Sequence, residues 1–280
     1  MSSLPKVSVC IANYKSDPFC QEALDSIEKQ SYKNIETCVY HDDIGIGTGQ
    51  AFNEAIKLAT GDIVFLLCSD DVLTDVHVIS DVADAFKNRE VGHVSRWYYQ
   101  FVNGDPSPVR AWRGKDVIEL ANNPSGMAFR KSVLALEDGL TNRMFVEVAQ
   151  LVHDVLKNGW DYTILDYDTI AVRIHKSISR TPGYYKKMWN SSPVLEWNKL
   201  GWKTTDFTHL IQVAVNFEKK AVWSEIRNFI KIKPICLVYP SFWFYSLVSL
   251  LVPRKVLHRL PEIYRKTVGK WTTKVVKRNP

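Results

Sequence analysis

Two adjacent carboxylates and a serine follow an apolar segment of strand length. Residues 63–67 read Ile-Val-Phe-Leu-Leu, and Ser69-Asp70-Asp71 comes almost directly afterwards. A continuous apolar run is typical of a strand buried on both faces of a parallel sheet, and ligands bind beyond the carboxyl ends of such strands. Paired aspartates at that edge can hold a hard divalent cation, which in turn can neutralise a diphosphate. The alternative is that Ser69 or an aspartate caps a helix that begins at Val72.

The segments around this cluster alternate between strand patterns and helix patterns. Strands are predicted at residues 7–11, 35–40, 63–67 and 91–96, and helices at residues 19–30, 50–59 and 76–89. Such alternation is typical of βαβ units. We therefore expect an α/β fold with a mainly parallel, Rossmann-like sheet flanked by helices.

The order of these motifs resembles the nucleotide-sugar half of family 2 glycosyltransferases, which have the GT-A fold. The resemblance covers residues 7–14 (Val-Ser-Val-Cys-Ile-Ala-Asn-Tyr), Ala59-Thr60-Gly61-Asp62 and Ser69-Asp70-Asp71. It also includes Leu24, Ser26, Ile27, Gln30 and Asn53. No single motif is decisive, but their order and spacing together are specific.

Three later segments extend the resemblance to residue 179. Residues 123–130 resemble the acceptor-side strand of the family, which ends in a small-residue turn and an arginine. Residues 147–160 resemble its helix that opens with acidic residues and closes at a glycine, and residues 173–179 resemble its segment with an arginine, a histidine and serines. The resemblance implies a nucleotide-sugar-binding half at 1–97 and an acceptor-binding half at 98–182. The residue pattern that follows predicts a helical extension at 183–233, then an apolar segment and a basic, amphipathic, membrane-associating tail at 234–280.

The resemblance also assigns roles to individual residues. It implies nucleotide-sugar binding by Ala12, Asn13, Tyr14, Asp42, Asp43, Asn53, Ser69, Asp70 and Arg173. It implies a Mn²⁺ or Mg²⁺ site formed by Asp70 first, Asp71 second and His175, and an imidazole ligand favours Mn²⁺. One of Asp42 and Asp43 would recognise the nucleoside, although both could instead serve only to form the turn before Gly45.

The catalytic base is assigned to Glu147, since a carboxylate is expected to accept the proton of the acceptor hydroxyl in an inverting transfer. The family has Glu-Asp here and often uses the second acid, whereas this chain has Val148. Asp154 lies two helical turns away, which is too far. Cys68 is a second departure, because the family often has an aspartate there. A catalytically inactive binding or scaffold protein is therefore the alternative function.

Two other enzyme classes are disfavoured by the residues themselves. A nucleotidyltransferase would carry a glycine-rich phosphate loop after its first strand, where this chain has Ala12-Asn13-Tyr14. The Gly45-x-Gly47-x-Gly49 spacing does not match the dinucleotide-binding fingerprint. We expect a metal-dependent, inverting glycosyltransferase (a hexosyltransferase) that takes a nucleoside diphosphate sugar, with UDP favoured over GDP, and transfers the sugar to a saccharide acceptor.

Composition is consistent with one main domain and a smaller appended part. The chain has 280 residues, of which 46% are hydrophobic, so it can bury one sizeable core. Its five cysteines show no Cys-x-x-Cys spacing, so we expect reduced thiols with neither a zinc site nor disulfides. The opening residues 1–6 lack a basic-then-apolar leader, which predicts a protein on the cytoplasmic side.

The net charge of +6 is concentrated near the carboxyl terminus. Residues 254–280 contain nine basic residues and one acidic residue, and residues 235–252 are uncharged and mostly apolar. This pattern predicts an interfacial helix on the anionic inner membrane surface, peripheral or monotopic, and a nearly neutral body argues against nucleic-acid binding. By family analogy the acceptor would be lipid-linked, as in lipopolysaccharide or other cell-surface polysaccharide biosynthesis. The alternative is a helix pair that packs on the body or on a second subunit.

Overall fold

The structure is a computed structural model, and it describes residues 4–15, 18–114, 117–121, 123–136, 147–174, 219–232 and 240–253, with the single positions 210, 214 and 237. The chain divides into two compact units, Met1–Arg173 and Ile174–Pro280. The finer division into four parts stays a prediction.

One sheet with flanking helices accounts for the described residues up to Ile174. Its strands are β1 (Val7–Tyr14), β2 (Ile35–Asp42), β3 (Ile63–Cys68), β4 (Val72–Leu73), β5 (Val91–Val102), β6 (Asp105–Trp112), β7 (Ala128–Arg130) and β8 (Asp161–Ile174). The helices are α1 (Cys20–Glu28), α2 (Thr48–Leu58), α3 (Val78–Ala85), α4 (Val117–Leu120), α5 (Lys131–Leu136) and α6 (Glu147–Lys157). The four strands and three helices predicted from the alternating pattern are confirmed.

The sheet is mixed, so the prediction of a mainly parallel sheet is wrong. The strand order is β2-β1-β3-β7-β5-β8-β4, with β6 paired to β5. Strand β1 is parallel to β2 and β3, whereas β7 is antiparallel to both β3 and β5. Strands β5 and β6 are joined by a short turn, which permits only antiparallel pairing. Parallel pairing is found where helices α1 and α2 provide the crossovers.

Strand β4 replaces the helix start that was the alternative for this segment. Val72 pairs with Ala171, and Leu73 pairs with Ile170, in antiparallel register. The backbone N–H of Leu73 donates to Ser26 Oγ at 3.2 Å. The alternative, a helix that begins at Val72 and is capped by Ser69 or an aspartate, is therefore wrong. Val72 and Leu73 instead pair with strand β8.

Strand β3 is buried on both faces, as its continuous apolar sequence predicts. Ile63, Phe65 and Leu67 belong to a core cluster with residues of α1 and α3. Val64 and Leu66 belong to a second cluster with residues of α2, α4, α5 and α6. The sheet is therefore the middle layer between two layers of helices, and β3 lies in its interior, between β1 and β7.

The turn at residues 59–62 fastens the amino ends of the first three strands. Asp62 Oδ2 accepts from Lys6 N at 3.0 Å, and Glu36 Oε1 accepts from Thr60 N at 2.6 Å and Gly61 N at 3.0 Å. A Cβ on Gly61 would lie 2.5 Å from Lys6 O, so the close approach of the two backbones requires glycine. This motif has a structural role at the edge opposite to Ser69-Asp70-Asp71.

The second unit contains two long described helices, α7 (Lys219–Ile232) and α8 (Pro240–Leu251). Lys219 Nζ donates to Ser249 O at 2.6 Å and to Val252 O at 2.8 Å, which ties the start of α7 to the end of α8. Among the described residues, no helix reaches the length and hydropathy that crossing a membrane requires.

Replacing Glu36 by glutamine is expected to remove a pH-dependent part of the stability. Burial by itself would raise the pKa of Glu36, but hydrogen bonds from Lys6, Ser8 and Thr60 outweigh it and lower the pKa from 4.5 to about 2. Because the folded state binds the proton more weakly than the unfolded state, Glu36 stabilises the fold above pH 4.5, and this stabilisation is lost as the pH falls towards 2. Urea unfolding across this pH range measures it.

The matched control is Glu90→Gln, since Glu90 is exposed at the same end of the sheet. The free energy of unfolding of Glu36→Gln should be lower than that of the wild type at neutral pH and should fall less steeply on acidification. Parallel acid profiles of Glu36→Gln and the wild type would contradict the assignment.

Candidate functional site

The register of the parallel strands brings the predicted site segments to one edge of the sheet. Ala12 of β1 pairs with Tyr40 of β2 and with Cys68 of β3. The residues that follow these three positions therefore emerge side by side at the carboxyl ends of the strands. They are Asn13, Tyr14, Asp42, Asp43, Ser69, Asp70 and Asp71.

Asp71 points inward and joins three distant segments. It is 1% exposed, and its Oδ1 accepts from Arg173 N at 3.0 Å while its Oδ2 accepts from Ser125 Oγ at 2.5 Å. Ser125 Oγ also accepts from Cys68 N at 2.9 Å. Burial raises the pKa of the Asp71 carboxyl well above its usual range, the nearby Asp70 raises it further, and the hydrogen bonds oppose the rise.

Asp70 is half-buried and is the better placed ligand for a divalent cation. The Sγ of Cys68 and carboxylate oxygens of Asp70 and Asp71 lie within 4.8 Å of one another. Burial raises the pKa of the Cys68 thiol, so it stays protonated, and a thiol suits Mg²⁺ or Mn²⁺ poorly. The cluster therefore fits a cation held chiefly by Asp70, with Asp71 second, and His175 lies outside the described residues.

Arg173 lies beside both aspartates, with its guanidinium buried among protein groups. Its Nε donates to Asp70 O at 3.1 Å, and its Nη1 and Nη2 donate to Asn103 Oδ1 and Glu22 Oε2, each at 2.6 Å. The guanidinium carbon also lies 4.3 Å and 4.8 Å from two ring centroids, those of Phe19 and Phe101. Arg173 thus positions the Asp70 backbone, and its contact with a nucleotide sugar stays a prediction.

The other predicted binding residues differ in their exposure. Asn13 is buried, and its Nδ2 lies 3.3 Å from His41 Nδ1, whereas Tyr14 is 39% exposed at the end of β1. Asn53 is half-buried on α2, and Ser69 is buried beside Asp70. Tyr14 is therefore the member of this group that is most open to a ligand.

Asp42 forms the turn that was its alternative role. Its Oδ1 accepts from Gly45 N at 2.7 Å and from Ile46 N at 3.0 Å, and the residue is 4% exposed. Asp43 is exposed. Of the two acids, Asp43 is the one placed to meet a nucleoside, and this role stays a prediction.

Glu147 is the first residue of α6, and its side chain lies outside the described part of the chain. Val148 is 5% exposed and belongs to a core cluster with Leu151 and Val152. Position 148 therefore faces the protein interior in this chain. The role of Glu147 as the base stays a prediction.

Two residues that the sequence reasoning did not single out hold Asp71 in place. One is Ser125, which belongs to the small-residue turn at 123–126 and could have been identified from that motif. The other is the fully buried Arg96 of β5, whose guanidinium donates to Ser125 O at 2.5 Å and Asn123 O at 2.8 Å. Burial lowers the pKa of Arg96 to about 10. Its position in a strand of mixed apolar and polar residues gave no sequence signal for this role.

Comparison with known proteins identifies the fold. No protein-family model matches the chain, and no curated protein matches it. Among solved structures, S. aureus TarS 1–349 in complex with UDP matches with a TM-score of 0.54 and 16% identity over 98% of this chain and 93% of that one. The mannosyltransferase PcManGT from Pyrobaculum calidifontis, in complex with GDP-Man and Mn²⁺, matches with a TM-score of 0.55 and 12% identity over 98% and 89% of the two chains. TarS 1–349 in complex with UDP-GlcNAc also matches, with a TM-score of 0.54 and 14% identity over 93% of this chain and 92% of that one.

These likenesses extend over nearly the whole chain at low identity, so they show the fold alone. The mixed sheet with helices on both faces resembles that of GT-A glycosyltransferases. The expected GT-A-like fold is thus confirmed at the level of architecture, whereas membership of family 2 and the membrane-associating part stay predictions.

Replacing Ser125 by alanine is expected to destabilise the fold by about 1–3 kcal/mol, because Asp71 Oδ2 would lose a donor in a buried setting. The matched control is Ser95→Ala. Ser95 is also fully buried, but its hydroxyl has no hydrogen-bond partner among the described residues. Urea unfolding at neutral pH measures both, and equal losses would contradict the role of Ser125.

Proposed function

We propose that the protein is a glycosyltransferase that moves a sugar from a nucleoside diphosphate to a saccharide acceptor. The observation that carries this proposal is the cluster of exposed and half-buried polar groups at the carboxyl ends of β1, β2 and β3. It lies in a chain whose fold is shared with proteins solved in complex with UDP, UDP-GlcNAc and GDP-Man. Ligands of α/β sheets bind at this edge.

The donor is proposed to lie across the ends of the three strands. The exposed ring of Tyr14 and the exposed carboxylate of Asp43 suit the nucleoside, and Asp43 can accept hydrogen bonds from a base or a ribose. The diphosphate would then lie near Asp70, and Asn53, half-buried on α2, is proposed to face it. UDP remains the favoured nucleotide.

A divalent cation, proposed to be Mn²⁺, would be held by Asp70 together with the diphosphate, with Asp71 and His175 as further ligands. Such an ion neutralises the charge that develops on the leaving diphosphate. Asp70 is suited to this role because Arg173 holds both its carbonyl oxygen, through Nε, and the carboxylate of the next residue, Asp71, through the backbone N–H. The support comes from the cluster geometry and from the Mn²⁺ of PcManGT.

The acceptor hydroxyl is proposed to lose its proton to Glu147, as the transferred sugar inverts at its anomeric carbon. The burial of Val148 supports this choice, because position 148 faces the core and Glu147 is the remaining acid of the pair. The acceptor is proposed to be lipid-linked and to belong to cell-surface polysaccharide synthesis. The basic character of residues 254–280 supports a membrane-tethered acceptor.

Donor hydrolysis tests the proposal directly. UDP-, GDP- and dTDP-sugars would be incubated with the wild type, Asp70→Ala and Glu147→Gln, with and without Mn²⁺. Asp70→Ala should reduce turnover by about 10²–10³-fold, because a charge-stabilising group is lost. Glu147→Gln should reduce hydrolysis by about 10²–10⁴-fold, because the base that deprotonates the acceptor hydroxyl would also deprotonate the water that replaces it.

The control is Asp84→Asn, which changes an exposed carboxylate on α3 that pairs with Lys87. It should retain wild-type turnover. Binding of a nucleotide without turnover of any donor would instead favour the scaffold alternative, and absence of nucleotide binding would contradict the site itself.

Separate replacement of Asp42 and Asp43 should have different effects, one on the stability of the fold and the other on nucleotide binding. Asp42→Ala removes the acceptor of two backbone N–H groups, so the free energy of unfolding should fall by about 1–3 kcal/mol. Asp43→Ala should keep its stability and bind UDP about 10-fold more weakly, since a charged hydrogen bond is lost. Calorimetric titration with UDP and thermal unfolding measure the two effects, and unchanged UDP affinity in Asp43→Ala would remove Asp43 from the site.

A further inference from the structure

Helix α8 presents its apolar side chains to the outside. At helical spacing, residues 243, 247 and 251 follow one another on a single stripe, and residue 244 lies next to it. All four are large hydrophobic residues with roughly half or more of their surface exposed: Trp243 (48%), Phe244 (60%), Leu247 (53%) and Leu251 (74%). A helix on the surface of a soluble protein normally has the reverse arrangement.

The buried face of α8 is more polar than the exposed one. Phe242, Ser246 and Ser249 are at most 4% exposed. The hydroxyl groups of both serines have no hydrogen-bond partner among the described residues. Burying such groups costs free energy, so the burial of apolar surface does not explain why α8 buries this face and exposes the other. The exposed stripe is therefore expected to be covered by an apolar environment.

Helix α7, which is tied to α8 through Lys219, presents cations. Its exposed side chains include Lys220, Arg227 and Lys231, together with Trp223, which is 53% exposed. The described acid of this helix, Glu225, is buried, so the exposed side of α7 carries positive charge without a compensating carboxylate. The sequence that follows α8 adds nine basic residues against one acidic residue.

We propose that the exposed stripe of α8, accompanied by the cations of α7, docks on the surface of an anionic lipid bilayer. Aromatic and aliphatic side chains would enter the interface between headgroups and acyl chains, and the lysines and arginine would meet the phosphates. Helix α8 has 12 residues and is therefore about 18 Å long, too short for a hydrocarbon core of about 30 Å, so it lies along the membrane rather than across it.

A second copy of the chain fits this surface less well. A symmetric dimer formed through α7 and α8 would bring two sets of exposed cations together, and like charges repel. An anionic bilayer supplies both the apolar layer and the opposite charge. The proposal does not rest on the donor chemistry, because α7 and α8 belong to the second unit and contain none of the proposed site residues.

Vesicle flotation of the full chain tests the proposal. Wild-type protein should float with vesicles of phosphatidylcholine and phosphatidylglycerol and should bind pure phosphatidylcholine vesicles much less. Trp243→Ser/Phe244→Ser should bind the mixed vesicles at least about 10-fold more weakly, because two large apolar side chains no longer enter the interface. Lys220→Gln/Arg227→Gln/Lys231→Gln should lose on the order of 100-fold on mixed vesicles at low salt.

The matched control is Leu58→Ser/Val76→Ser, which removes two exposed apolar side chains from the first unit, where they are 56% and 45% exposed. It should float like the wild type. Thermal unfolding and UDP binding of every variant show whether the fold and the first unit are intact. Equal flotation of Trp243→Ser/Phe244→Ser and the wild type would overturn the proposal. So would sedimentation of the wild type as a dimer that this variant abolishes, without vesicle binding.

Discussion

The carboxylate of Asp71 is buried, and the closure of the first unit around the candidate site depends on the hydrogen bonds that it accepts. A buried carboxyl group costs free energy unless it is hydrogen-bonded. Its donors, Ser125 Oγ and Arg173 N, come from segments 54 and 102 residues away in the chain. Satisfying one side chain therefore requires the turn before β7 and the end of β8 to meet the end of β3. The fully buried Arg96 holds that turn in place from the other side.

The two adjacent aspartates divide structural and chemical roles between them. Asp71 fixes the end of β3 from within, and Arg173 holds the backbone carbonyl of Asp70 through its Nε. Asp70 thus lies between strands β3 and β4, so its carboxylate would need little reorganisation to receive the proposed cation. Such preorganisation is what makes a charged group effective at a reacting centre. The contacts of the Arg173 guanidinium with the rings of Phe19 and Phe101 extend the same rigidity to the segment that precedes α1 and to the end of β5.

Local patterns predicted the elements of the fold better than the pairing of its strands. The apolar run at residues 63–67 identified the central strand, because a buried strand needs apolar side chains on both faces. The direction of β7 was not predictable, since three residues carry no periodicity and their pairing depends on distant partners. For the site, residue types located the acids at the ends of the strands. They did not show that Asp42 turns inward to bind Gly45 N or that Asp43 stays exposed, because this follows from the backbone of the turn.

Cys68 and Val148, the two departures from the family pattern, both occupy positions that serve packing. Val148, on α6, belongs to a core cluster, and the Cys68 side chain packs against the same cluster. The Cys68 backbone N–H donates to the same Ser125 hydroxyl that donates to Asp71. The hydrogen bonds to Asp71 therefore form without acids at positions 68 and 148. Because these bonds hold the fold together, they would be required in a non-catalytic protein as much as in an enzyme. The groups that would distinguish the two functions are Asp70 and Glu147, because they are the proposed reactive groups. Asp70 is half-buried, and Arg173 holds its backbone carbonyl. A carboxylate placed in this way favours an enzyme over a non-catalytic scaffold protein.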